Sequence, residues 1–122
     1  RSYSVTGVQT CALPISWYRS RARRVFTARL ENCYLRARHL GIPYPELSVR
    51  TMKNRWGSCP GPGRILLNVR LVQAPPKCIE YVILHELCHL VEASHGPRFE
   101  ALMDRLLPDW RERQAALNTF EF

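Results

Sequence analysis

Along the chain, the spacing of apolar residues switches from a helical period to an alternating one and back again. Between Trp17 and Leu40, Val25, Ala28, Leu30, Cys33, Leu35 and Ala37 form a broad apolar stripe among arginines, which predicts an amphipathic helix opening at Trp17. Gly41, with Pro43 and Pro45 behind it, supplies the stop. Leu47 to Lys53, LSVRTMK, alternates and predicts a strand with Leu47, Val49 and Thr51 on one face. Arg64 to Leu71, RILLNVRL, predicts a second strand, with Ile65, Leu67, Val69 and Leu71 on one face and Leu66, Asn68 and Arg70 on the other. Between them lie NRWGSC and the turn-forming PGPG, so the two strands are expected to pair as an antiparallel hairpin with a long, irregular loop. A long helix should then run from Pro76 to Ser94, since proline suits a first helical turn, and Gly96–Pro97 should break it. Two more helices are expected at 98–107 and 109–118. The order of helix, hairpin and three helices argues an α+β domain.

The chain has 122 residues, enough for one domain with a modest core. No apolar run reaches the length of a membrane span. The net charge is +8, carried by sixteen Arg and two Lys. A solvated basic helix accounts for this charge, and so does a surface that meets nucleic acid or an acidic partner. Five cysteines, an odd number without a CxxC pair, read as reduced thiols in a cytoplasmic protein. Cys33, Cys78 and Cys88 fall in expected helices and read as small core residues.

Val5 to Ile15, VTGVQTCALPI, carries no charge, unlike the arginine-dense stretch that follows. Read back into codons, it resembles a sequencing-library adapter translated in frame. Residues 1–16 are therefore expected to be a non-native leader and residues 17–122 the domain proper.

The densest chemistry lies in HELCHLVEASH, His85 to His95. On a helix, His85 and His89 share a face, and two imidazoles so placed can reach one zinc ion at about 2.0–2.1 Å. Glu86 then projects beside the metal, where a carboxylate can take a proton from a bound water, as the HExxH signature requires. Tyr81, Val82, Ile83, Leu84, Leu87, Cys88, Leu90 and Val91 cover nearly the whole circumference, which predicts a buried helix. Unpaired polar groups would be costly there, and a metal with its water offsets that cost. A catalytic zinc needs a third ligand. Glu92, on the same helical face, and His95, just before the Gly–Pro break, are both within reach. His95 is preferred because imidazole is the commonest metal ligand, which leaves Glu92 as a supporting acceptor. Glu100 and Asp104 are outside candidates.

KNRWGSC, ILLNVRLVQAPP, EYVILHELCHLVEASHGPRFEALM and LLPDWRER occur in that order. Together they resemble the YgjP-like (SprT-like) zinc metallopeptidase domain, over about residues 17–117. The resemblance implies a small zincin-like fold in which His85, His89 and His95 bind one zinc ion and Glu86 is the catalytic base. It also implies that a region N-terminal to this domain is missing. The chain departs from the family pattern at Glu100, where an aromatic residue is usual, and at Ala115–Ala116, where a bulky pair is usual. Both departures concern packing of the last helices.

The expected activity is hydrolysis of a protein or peptide by a zinc-activated water. Arg55, Asn68 and Tyr44 are the candidates for substrate or oxyanion contact, and RWGSC is a candidate border of the active site. The Leu66–Asn68–Arg70 face could offer an edge to an extended peptide. The rival reading is a nucleic-acid-associated module with a structural zinc, for which Cys59 is the one nameable fourth ligand. The two readings can combine, since SprT-like relatives include proteases that act on DNA-bound proteins.

Overall fold

A computed structural model of the chain describes residues 15–120. The expected leader therefore lies outside the described residues, except for Ile15 and Ser16, at which the first helix opens. The elements are α1 (Ile15–Ala37), a 3-10 turn (Arg38–Leu40), β1 (Glu46–Arg50), β2 (Gly57–Gly61), β3 (Arg64–Asn68), a second 3-10 turn (Val69–Gln73), α2 (Pro76–Val91), α3 (Pro97–Leu106) and α4 (Trp110–Asn118). Four helices around a small three-stranded sheet make an α+β domain, as the pattern indicated.

Helix α1 buries Ala22, Phe26, Leu30, Cys33 and Ala37, a stripe with steps of three and four residues. Two members of the expected stripe fall off it. Leu35 is 61 % exposed and Ala28 also faces water, because five residues beyond Leu30 or two before it lies well round the helix from the buried line. Trp17 is not a core residue either. It is 44 % exposed, with its ring edge-on to Tyr18 and the Arg21 guanidinium 5.9 Å from the ring centroid.

The sheet order is β1-β3-β2. β1 runs parallel to β3, with Val49 opposite Leu67, and β2 runs antiparallel to β3, with Ser58 opposite Leu66. This corrects the expected hairpin, because the two strands legible by alternation are parallel neighbours. The antiparallel partner of β3 is GSCPG, a stretch whose sequence reads as loop. Pro60 and an irregular register between Ser58 and Gly61 are tolerated there because β2 is an edge strand. The Pro62–Gly63 turn closes this hairpin, and Gly63 has φ +70°, a conformation that favours glycine.

β3 also stops sooner than alternation suggested. The Asn68 side chain accepts a hydrogen bond from the Arg70 N–H at 3.1 Å and caps the following 3-10 turn, so Val69 and Leu71 are buried from that turn. Helix α2 packs against α1, α3, α4 and β2, which explains why it is apolar nearly all round. It ends at Val91 rather than Ser94, with Glu92 already extended at φ −134° and ψ 105°.

Candidate metal centre

Early termination of α2 shapes the site. His85 and His89 lie one turn apart on α2 with their rings edge-on, and the chain leaves the helix at Glu92, turning His95 back toward them. The three Nε2 atoms form a triangle with sides of 3.1 Å (His85–His89), 2.9 Å (His89–His95) and 3.4 Å (His85–His95). Ligands about 2.0–2.1 Å from a tetrahedral metal lie about 3.3 Å apart, so the spacing suits one ion. Among the described residues these three form the one such cluster of His, Cys, Asp or Glu side chains.

The tautomers agree with a ligand role. His89 Nδ1 lies 3.2 Å from the Glu92 carbonyl oxygen, which can only accept, so Nδ1 carries the hydrogen and Nε2 presents its lone pair. The Tyr81 hydroxyl lies 3.4 Å from His85 Nδ1. Burial, followed by the neighbouring His89 and His95, lowers the His85 pKa to about 4, and burial also lowers that of His89. Both imidazoles are thus held neutral near pH 7, the form that binds metal.

Beneath the triangle lies Phe99 from α3. Its ring centroid is 4.5 Å from that of His89, nearly parallel to it, and 5.0 Å from those of both His85 and His95. This apolar floor fixes all three rings at once. Glu86 is buried, and burial pushes its carboxyl up to about 7 against the opposing pull of Arg55. Gly57 of β2 packs directly on it. A β-carbon there would sit 3.0 Å from Val82 Cγ1 and 3.1 Å from Glu86 Oε2.

The centre opens into a cleft of about 400 Å³ lined by Arg55, Gly57, Ser58, Cys59, Ala93, Glu86 and the three histidines. Four of the five residues of RWGSC line this cleft beside the histidines. Other expected residues are placed elsewhere. Asn68 is fully buried, and its Nδ2 donates to the Met52 and Arg55 carbonyls at 2.9 and 2.8 Å, so it supports the Arg55 segment from behind. Tyr44 is 49 % exposed, packs edge-on against Tyr34, and does not line the cleft. The Glu92 carboxylate accepts from Ser94, and it is the Glu92 main chain that meets His89. Asp104 accepts from Trp110 Nε1 and Arg111, and Glu100 pairs with Arg111. Cys59 lines the cleft, but its sulfur is not part of the converging group.

Sequence reading missed Tyr81 and Phe99, and it reached Gly57 only as part of RWGSC, without its contact to Glu86. Tyr81 had a usable signal, since it lies one helical turn before His85. Phe99 and Gly57 meet the site only through tertiary packing.

A family model described as YgjP-like, metallopeptidase domain, matches residues 10–120, and the chain belongs to that family. No curated protein matches the sequence. The family points to a metal-dependent protease, and thus to a protein substrate.

Proposed function

We propose that the chain is a zincin-like zinc peptidase, with His85, His89 and His95 as ligands and Glu86 as general base. The observation that carries this reading is the convergence of three imidazoles beside a buried carboxylate whose pKa burial raises to about 7. Three rather than four ligands converge among the described residues, which favours a catalytic centre with an open position over a closed structural one. When bound, zinc would acidify a water and polarise the scissile carbonyl. Glu86, which lines the cleft, would take a proton from water there and return it to the leaving amine. Arg55, at the cleft edge, is the remaining candidate for steadying developing negative charge.

An extended substrate would lie along β2. β3 is the central strand and has no free edge, whereas Gly57, Ser58 and Cys59 belong to an edge strand and line the cleft. Four unpaired thiols among the described residues, three of them buried, suit a reducing cytoplasm. No described helix is long and apolar enough to cross a membrane.

The test is Glu86→Gln, assayed on an unfolded protein substrate. The amide fills the same space but cannot accept the proton. Metal content should stay at the parent level, while hydrolysis falls roughly 10²- to 10⁴-fold. A fully active variant would remove Glu86 from the mechanism.

A further inference from the structure

The strongest unassigned feature lies at the opposite edge of the sheet from the metal centre. A groove of about 460 Å³ between α1 and β1 is lined by Arg19, Arg23, Ser48, Val49, Arg50 and Thr51. β1 is the other edge strand, separated from β2 by β3. The three arginines are exposed. None has an ion-pair partner among the described residues, although six ion pairs form elsewhere. No acidic residue lines the groove. Arg19 and Arg23 are one helical turn apart on α1, so they face the same way with β-carbons about 5–6 Å apart. Arg50, at the end of β1, closes the opposite wall.

We propose that this groove binds the phosphodiester backbone of one nucleic-acid strand. Guanidinium forks match phosphate oxygens in two-point hydrogen bonds. The Ser48 and Thr51 hydroxyls, on the same lining, are donors of the kind that contact phosphate and sugar. The net charge of +8 draws a polyanion toward the domain, and the groove supplies the concave seat. It contains no aromatic ring on which a base could stack, so binding is to the backbone and indifferent to sequence. The edge-to-edge separation leaves the metal cleft free while a strand is held.

The experiment is fluorescence anisotropy of a labelled 20-nucleotide single-stranded DNA, titrated with the full chain at several salt concentrations. Three phosphate contacts on a single strand contribute a log–log salt slope of about −2. Replacing Arg19, Arg23 and Arg50 together by Gln should weaken binding roughly tenfold or more and reduce the slope by about 2. The same three positions as Lys should keep most of the affinity, which separates lost charge from lost folding. Replacing the exposed Arg38, Arg98 and Arg105 by Gln removes equal charge elsewhere and should leave the slope within error. An equal loss in that second Gln variant would overturn the proposal in favour of diffuse attraction. It would also be overturned by a parent that does not bind DNA, or that binds polyglutamate or phosphatidylserine vesicles as tightly through the same arginines. Zinc content and hydrolysis should be unchanged in the groove variants, so the outcome stands apart from that of the peptidase reading.

Discussion

Burial and Arg55 pull the Glu86 carboxyl in opposite directions, and burial wins, raising its pKa from 4.5 to about 7. The unfolded chain releases that proton first, so between these pH values the folded state binds more protons and loses stability as pH rises. The total is on the order of 3 kcal/mol. His85 works the other way, because its depressed pKa makes the fold lose stability as pH falls from 6.5 toward 4. The parent curve therefore mixes the two, and the difference between parent and Glu86→Gln isolates the carboxylate. In metal-free protein, urea denaturation should show Glu86→Gln gaining on the parent as pH climbs from about 4.5 to about 7. A difference independent of pH would mean that burial does not hold the Glu86 proton. Gly57 gives a second test at this scale. In Gly57→Ala, the added methyl must displace Val82 or the Glu86 carboxylate. Such overpacking should lower stability by about 1–3 kcal/mol. Turnover should fall roughly 10- to 100-fold with metal content intact, because the proposed base Glu86 is moved and the three histidines are not. Unchanged turnover would show that Glu86 tolerates displacement.

Among the elements, the segment from Thr51 to Trp56 matters most for the site. It carries the chain from β1 over the end of β3 to the far edge, where β2 begins, and it presents Arg55 to the cleft. Asn68 holds it from below, with its side chain donating to Met52 and Arg55 and its backbone N–H donating to the Trp56 carbonyl at 2.9 Å. Asn68→Ala leaves two carbonyls and the Arg70 N–H without these partners, at about 1–3 kcal/mol for each group that stays buried. A loss of at least about 2 kcal/mol is expected in chemical denaturation, with a fall in hydrolysis as Arg55 shifts. Stability within about 0.5 kcal/mol of the parent would contradict this bracing role. The crossing explains what the sequence concealed. Alternation revealed β1 and β3 because each buries one face, but β2 is short, half-buried and built from Gly, Ser, Cys and Pro, so it has no apolar period to read. Without β2, the two visible strands look like a hairpin. The α1 stripe went astray for a related reason, since Ala28 and Leu35 are apolar without being buried, while Phe26, off the expected line, is fully buried.

For the whole molecule, the two edges of the sheet carry two separate clefts. α2 supplies His85, Glu86 and His89 on the β2 side, and α1 and β1 form the arginine groove on the other. The histidines were legible because they lie within eleven consecutive residues, where helical spacing alone brings two of them together. The return of His95 was only partly legible. It depends on α2 ending at Val91 and on Phe99 of α3 providing the surface against which all three rings settle. The groove was not legible, since an arginine-rich helix reads the same whether its charges face open water or a second wall. The central claim is that three imidazoles from α2 and the turn after it make one metal site. Elemental analysis of the purified full chain, beside His89→Ala, tests it most directly. The account predicts one zinc per parent chain and none retained by His89→Ala. Stoichiometric zinc in that variant, or a parent that takes up no zinc when it is supplied, would contradict it.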